Sequence, residues 1–274
     1  MNGIILIAKQ EFLINLRNRW VLTFSAVFTL LTMLIAFLGM VTSGYVGIQD
    51  FIRTAASLVN LSGFLLPLFA LIVGVFSFLS HRQYMEFLVV QPISRDQVLL
   101  GKFLGLVMTV FTASILGFGL PGVITAINVG TEGALRYLEV VLNSLLLSVV
   151  FAGLSVLISL IASRRQVAFG IALGVWLFFE VLFGTLMLGS TLYFTPSALK
   201  TILLIGLLLN PIDITRVLSL LAVGGPHLFG PAGATLIKMT GSETIATMIG
   251  YSSFSAWIVL PILASIFIFR KQDI

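Results

Sequence analysis

Long apolar stretches alternate with short polar segments along most of the chain. Four stretches contain no Asp, Glu, Lys or Arg, and run over 20–49, 54–81, 103–131 and 140–163. Two more run over 166–199, interrupted by Glu180, and over 244–269. About 20 apolar residues in a helix cross the hydrocarbon core of a bilayer. The pattern therefore predicts an all-α integral membrane protein with six transmembrane helices, at about 20–42, 57–79, 102–127, 139–161, 167–189 and 252–270.

Composition supports a membrane protein. Hydrophobic residues make up 59% of the 274 residues, charged residues 9%, and the mean hydropathy is +1.15. This excludes a water-soluble domain, which carries about 25% charge. Helices are favoured over a barrel because Val21–Ala36 shows no alternation of apolar and polar residues. The first stretch is too long for a cleavable signal peptide, so we expect it to remain as an anchor. With no cysteine, the chain has no disulfide or thiolate metal site.

The distribution of basic residues predicts the orientation, since cytoplasmic segments are enriched in Lys and Arg. With a cytoplasmic N-terminus, the inside segments are 1–19, 80–102, 163–166 and 270–274. Ten of the 15 basic residues then lie inside, and the longer outside segments carry the other five. Both termini are therefore expected in the cytoplasm. The inside residues are Lys9, Arg17, Arg19, Arg82, Arg95, Lys102, Arg164, Arg165, Arg270 and Lys271.

The segment before the first span is also expected to be helical. Residues 4–19 precede the first span, and on a helical wheel Ile4, Ala8 and Phe12 fall on an apolar half, with Gln10 and Glu11 on the polar half. This pattern predicts a helix lying in the membrane interface, with an ordinary cytoplasmic lead-in as the alternative.

The long connection over 190–251 is expected outside, and prolines divide it into two short helices at about 197–209 and 212–222. A crossing over 201–222 with a kink at Pro211 is the alternative. It would place Asp213 and Arg216 in the bilayer, which is costly.

Familiar catalytic and nucleotide-binding motifs do not fit this chain. The GxGxxG at Gly117–Gly122 lies inside an apolar run without a βαβ unit, and Gly101-Lys102 lacks the rest of a P-loop. The sequence contains neither HExxH nor GxSxG, so the usual hydrolase constellations are missing, and neither histidine belongs to a cluster with metal-ligand spacing. A copper site built from Met239, Met248 and a histidine is an alternative. The histidines are His81 and His227.

Glu180 lies near the middle of the predicted fifth span, with no basic residue in the membrane as an obvious partner. A carboxylate there is expensive, so a functional role and a protonated structural role are both open. The glycine pairs Gly101/Gly105 and Gly170/Gly174 permit close helix packing, within one chain or between two.

The connection over 80–100 is expected to be a cytoplasmic helical hairpin. An apolar run ends at Gln91-Pro92, and Ser94 is a plausible N-cap of the helix that leads into the third span. Asp96 suits the positive end of that helix.

Two segments carry a resemblance to a known family. Residues 86–95, with the Leu-Leu-Gly-Lys that ends at Lys102, resemble the cytoplasmic loop of ABC-2-type permeases, and residues 8–20 resemble their interfacial elbow helix. The resemblance implies a coupling surface for a separate cytoplasmic ATPase, which binds the ATP and Mg, and a homodimer of the permease. It also implies that this chain is a non-enzymatic subunit with no cofactor or metal of its own. It implies coupling residues Glu86, Gln91, Pro92, Ser94, Arg95 and Asp96, and elbow residues Lys9, Glu11, Arg17 and Arg19. Ser80–Gln83 departs from the acidic cluster that such permeases often carry before the loop.

Three shorter segments, 16–20, 172–176 and 207–216, resemble a narrower branch of the family that supports assembly of the copper centres of nitrous oxide reductase. That resemblance implies a periplasmic β-helical partner, with an external partner surface that includes Asn210, Pro211, Asp213 and Arg216. No nucleic acid is expected as a partner. The cell inner membrane is the expected location. The alternatives are a membrane scaffold without an ATP-driven cycle and a proton-coupled carrier that uses Glu180.

Overall fold

The computed structural model describes residues 3–43, 48–79, 94–162, 164–224 and 241–271, and every element there is helical. The helices are α1 (Gly3–Leu16), α2 (Arg19–Ser43), α3 (Ile48–Leu79), α4 (Arg95–Ile161), α5 (Arg165–Leu177), α6 (Phe183–Ser190), α7 (Pro196–Leu209), α8 (Pro211–Val223) and α9 (Glu243–Lys271). A π-helical segment, Phe178–Leu182, joins α5 to α6.

The six predicted spans are confirmed. Helices long and apolar enough to cross a membrane cover Arg19–Leu38, Phe51–Leu79, Arg95–Ile124, Gly133–Ile161, Arg165–Ser190 and Glu243–Lys271. The third and fourth spans are the first and second arms of α4, and the fifth comprises α5, the π-helical segment and α6.

The turn of α4 differs from the sequence prediction. A loop was expected over 128–138, but the backbone stays helical from Arg95 to Ile161. The two arms nevertheless lie side by side. This is shown by the Tyr137 hydroxyl, which donates a hydrogen bond of 2.7 Å to the Phe118 carbonyl. A straight helix would separate these residues by about 28 Å. Since residues 122–161 contain no proline, every backbone N–H there can join a helical hydrogen bond.

Both ends of the described chain lie at the same end of the bundle. At the C-terminus of α9, Arg270 forms an ion pair with Asp96 in the first turn of α4. Helix α1 packs along the first arm of α4. The Arg165 guanidinium lies 4.3 Å from the centre of the Phe76 ring, which brings the start of α5 to the end of α3. We call this the basic end, since it carries Lys9, Arg17, Arg19, Arg95, Lys102, Arg164, Arg165, Arg270 and Lys271.

Helices α7 and α8 form a hairpin bent by 98° at Asn210–Pro211. Pro211 has no N–H to extend α7, and its fixed φ suits the first position of a new helix. The Asn210 side chain caps that helix, since its oxygen accepts a hydrogen bond of 3.0 Å from the Ile212 N–H. Helix α8 ends at Gly224, whose φ of 87° is the left-handed conformation typical of helix C-termini. The two short helices predicted from the sequence are therefore confirmed.

The α7–α8 hairpin enters and leaves the bundle at the same end, opposite the basic end. Helix α7 follows Ser190, the last residue of the fifth span, and the Val223 carbonyl at the close of α8 accepts a hydrogen bond of 2.9 Å from Arg136, near the turn of α4. Between these points, Arg216 reaches Glu180, near the middle of the fifth span. The hairpin is therefore re-entrant, and is neither a seventh crossing nor a wholly external pair of helices.

The packed core lies between α3, the two arms of α4 and α9. Buried side chains from these helices include Leu71, Leu106, Phe151 and Phe254. In α3 67% of the apolar stretch is buried, whereas in the fifth span only 11% is. The fifth span is therefore peripheral within one chain, with most of its surface open to lipid or to another subunit.

Candidate functional site

A buried ion pair joins α1 to α4 at the basic end. Lys102 Nζ lies 2.6 Å from Glu11 Oε2, and the two side chains are 0% and 2% exposed. Ser77 donates a hydrogen bond to the other Glu11 oxygen, to which Asn15 also donates, at 3.5 Å. We call Glu11, Asn15, Ser77 and Lys102 the elbow cluster. Because charges are costly to bury unless they are paired, the cluster fixes α1 against both α3 and α4.

Two glycines of α4 allow this close approach. A methyl group added at Gly101 would lie 2.8 Å from Ile7 Cβ, and one added at Gly105 would lie 2.6 Å from Glu11 Cβ and 2.7 Å from the Ala8 carbonyl oxygen. The first glycine pair singled out in the sequence thus packs within the chain. Gly170 and Gly174, the second pair, have nothing of the described chain within 4 Å of an added methyl group.

The helical wheel was wrong about Glu11, which it assigned to the polar face. The structure buries Ile7, Ala8, Glu11 and Asn15 along one side of α1. Glu11 can be buried because Lys102 neutralises it. No motif in the sequence singles out Asn15 or Ser77. The spacing of Asn15 four residues after Glu11 was the available signal, since such residues share a helix face.

A second set of contacts, here called the terminal clasp, ties the end of α9 to the start of α4. Arg95 Nη1 donates hydrogen bonds of 3.5 Å and 3.3 Å to the carbonyls of Phe269 and Arg270. Arg270 Nε donates to Asp96 Oδ1 at 2.9 Å, and its Nη2 pairs with the other oxygen. A cation at the last carbonyls of α9 and a carboxylate in the first turn of α4 each complement a helix dipole.

The structure describes three of the six predicted coupling residues. Ser94 caps α4 as expected, accepting a hydrogen bond of 3.4 Å from the Gln97 N–H. Arg95 and Asp96 belong to the terminal clasp, so both already contact their own chain. Glu86, Gln91 and Pro92, together with His81, lie outside the described residues. Among the other elbow residues, Lys9, Arg17 and Arg19 are exposed.

A second cluster lies between the fifth span and the α7–α8 hairpin and is called the inner cluster: Glu180, Asn210, Asp213 and Arg216. Arg216 Nη2 lies 2.7 Å from Glu180 Oε1, and its Nη1 lies 3.3 Å from Asp213 Oδ1. The Asn210 amide donates hydrogen bonds of 2.8 Å to Asp213 and of 3.0 Å to the Phe179 carbonyl. Phe179 and Glu180 belong to the π-helical segment, and such segments recur at functional sites.

Two expectations about the inner cluster are corrected. Glu180 does have a cationic partner, Arg216, which the hairpin brings across 36 residues of sequence. Asn210 is 1% exposed and Pro211 is buried, so the structure does not present them on an external surface. Arg216 reaches Glu180 of the fifth span, and Asp213 contacts Arg216; the Arg216 and Asp213 side chains are 28% and 27% exposed. Within the described residues, Glu180 Oε2 and Arg216 Nε are buried without a hydrogen-bond partner.

Possible metal ligands are the remaining candidates from the sequence. His227 and Met239 lie outside the described residues, and Met248 is 66% exposed on α9. In the part of the chain that the structure describes, no three His, Asp or Glu side chains are grouped to hold a metal ion.

Six spans, an N-terminal helix fixed to the third span and a re-entrant hairpin before the sixth define an all-α integral membrane domain. The chain belongs to the ABC-2 transporter family, because the model of the "ABC-2 family transporter protein" matches residues 5–274. It is 33% identical over 273 residues to a protein of Pseudomonas aeruginosa named probable ABC transporter permease protein NosY, covering 94% of this chain and 92% of that one. A protein of the same name from Stutzerimonas stutzeri is 30% identical over 282 residues, covering 99% of each chain.

Proposed function

We propose that this permease forms a homodimer in the cytoplasmic membrane, with both termini in the cytoplasm, and is driven by a separate ATPase subunit. Its work is export or periplasmic delivery that supports assembly of the copper centres of nitrous oxide reductase. The proposal extends the resemblance to the two relatives named NosY. The expected partners are then a NosF-like ATPase and a NosD-like periplasmic β-helical protein.

The observation that carries the coupling role is the convergence of α1 and the end of α9 on the start of α4. Helix α1 is held there by the Glu11–Lys102 pair, and the end of α9 is held by the terminal clasp. The loop that precedes α4 is the expected docking site of the ATPase. A displacement of that loop therefore acts on α1, α4 and α9 together.

The inner cluster supplies a route from this movement to the opposite face. Helix α9 packs against α8, and Ser253 and Trp257 of α9 donate hydrogen bonds of 2.9 Å and 3.2 Å to the Leu208 carbonyl of α7. A shift of α9 at the basic end thus reaches the re-entrant hairpin, whose Arg216 contacts the fifth span. We propose that the hairpin converts ATP-driven movement into work at the periplasmic surface.

Homodimer formation follows from the pairwise action of ABC ATPases. The exposed fifth span supports it, since Gly170 and Gly174 leave space on that helix into which a second copy can pack.

Co-purification with the cognate ATPase, followed by an ATPase assay, tests the coupling role. Arg95→Glu is expected to reduce ATPase binding and turnover, because it places a carboxylate beside the last carbonyls of α9 and beside Asp96. Arg164→Glu is the matched control: it makes the same charge change at the basic end on an exposed residue outside α4. If the ATPase binds and turns over equally well with the wild-type chain and with Arg95→Glu, the assignment of Arg95 to the coupling surface is wrong.

Complementation distinguishes the proposed cycle from its alternatives. In cells lacking this permease, the wild-type chain is expected to restore the copper content of nitrous oxide reductase, and an ATPase partner unable to hydrolyse ATP is expected to abolish that restoration. Full copper loading with the inactive ATPase would favour a scaffold. Loading that needs Glu180 and a proton gradient, but no ATPase, would favour a proton-coupled carrier.

A further inference from the structure

A cavity of about 280 Å³ lies at the basic end, beside the junction of α1 and α2. Arg17 and Arg165 are among its lining residues, and Asn15 and Ser77 are buried side chains on its wall. Its volume is close to the lower limit of about 300 Å³ for small-molecule sites. The cavity is therefore large enough for a small polar group.

The charge of the residues that line the cavity favours binding of an anion. Among the described residues, its lining carries two arginines and no carboxylate. Neither Arg17 nor Arg165 forms an ion pair with a described carboxylate. Glu11, which lies behind Asn15 and Ser77, is already neutralised by Lys102. Arginine presents a planar fork of donors that matches the oxygens of a phosphate.

Aromatic residues fix the second arginine at the cavity wall. Phe76 stacks on Trp20 with ring centres 6.3 Å apart, and the Arg165 guanidinium lies 4.3 Å from the Phe76 centroid. This stack links α2, α3 and α5. It leaves Trp20 62% exposed at the start of the first span, as is typical of tryptophan in a membrane interface.

The neighbouring helix surfaces are apolar and exposed. Leu22 of α2 is 58% exposed, and Val167 of α5 is 47% exposed, each within two residues of the cavity lining. A ligand whose phosphate occupies the cavity can thus extend hydrocarbon along these faces. We propose that the cavity binds the phosphate-bearing headgroup of an anionic phospholipid, as basic pockets between membrane helices do.

Headgroup binding would act on the elbow cluster directly. Asn15 and Ser77 line the cavity and also donate hydrogen bonds to Glu11. A bound phosphate is therefore one side chain away from the pair that holds α1 to α4. Occupancy is expected to slow hydrogen exchange in α1.

Lipid retention by the purified full-length chain tests the proposal. The chain is titrated with phosphatidylglycerol or phosphatidylcholine in detergent, and native mass spectrometry counts the lipids retained. Phosphatidylglycerol is expected to bind at least roughly tenfold more tightly. Arg17→Gln and Arg165→Gln should each weaken it by about fivefold, which corresponds to about 1 kcal/mol for each basic residue near the membrane surface.

Arg164→Gln is the control, because Arg164 is exposed at the same end and does not line the cavity. An equal loss of retention in this control would overturn the proposal. Equal retention of the two lipids by the wild-type chain would also overturn it, without reliance on any variant. Displacement of phosphatidylglycerol by millimolar inorganic phosphate would assign the cavity to a soluble anion instead and reject the lipid.

Discussion

The strongest test of the elbow cluster is a double-mutant cycle on its ion pair. Lys102→Met removes the charge and keeps an unbranched apolar side chain of similar length. Glu11→Gln removes the opposite charge and keeps an oxygen that can accept the hydrogen bond from the Ser77 hydroxyl. The pair spans 91 residues of sequence, so the cycle measures how firmly α1 is fixed to α4.

The magnitude follows from the burial of both partners, which are 0% and 2% exposed. Removing one partner of a buried pair costs about 3–5 kcal/mol, because the other charge stays buried without compensation. Each 1.4 kcal/mol changes an equilibrium constant tenfold. In either single variant, the population of the undocked state of α1 should therefore rise about 150-fold to 5,000-fold. Removing both charges is often nearly neutral, so the double variant should lie within about 1 kcal/mol of wild type.

Two measurements report this cycle. Hydrogen exchange followed by mass spectrometry gives the opening of residues 3–16 directly, and detergent-induced unfolding gives the stability of the whole bundle. Both single variants should accelerate exchange in α1, and the double variant should restore most of the protection. If the double variant loses as much as the two single variants combined, the two charges act independently and the description of a paired anchor is wrong.

Three further predictions concern other contacts. Arg216→Met leaves Glu180 without its cation and should lower the stability of the bundle by about 3 kcal/mol in detergent-induced unfolding; adding Glu180→Gln should recover most of that loss, and no recovery would argue against the pair. Gly105→Ala places a methyl group against the backbone of α1 and should lower the stability of α1 docking by about 1–3 kcal/mol, seen as faster hydrogen exchange of residues 3–16. Gly119→Ala is the control: an added methyl group there has nothing of the described chain within 4 Å, and the exchange of residues 3–16 should not change. Gly170→Leu should weaken the proposed dimer at least about tenfold in cross-linking titrations, because a bulky residue at a small-residue contact prevents close approach, with Gly119→Leu as control; an unchanged dimer would place the interface elsewhere.

The sequence could predict the spans because each one is determined locally. A bilayer has no donors or acceptors for the backbone, so any apolar stretch of sufficient length must be helical, whatever it packs against. The break at Pro211 and the cap at Ser94 are local for the same reason: a missing N–H and a side-chain oxygen act on the same or the next turn.

The candidate sites depended on contacts that no local pattern contains. The helical wheel assigned Glu11 to the polar face because it counted a charge without its partner, and Lys102 is 91 residues away. Glu180 lacked a cation in the sequence because Arg216 belongs to a segment expected outside, and the fold inserts that segment between the spans.

The sequence by itself determined the membrane class of this protein, its six membrane spans and the concentration of basic residues near one end. Only the tertiary structure decided which charges meet, that α4 turns back without losing its helix, and that α7 and α8 re-enter the bundle. Hydrophobic burial and backbone hydrogen bonding act through residue type and spacing along one helix. The pairing of buried charges depends on distances across the bundle, which are set only when all the helices have packed.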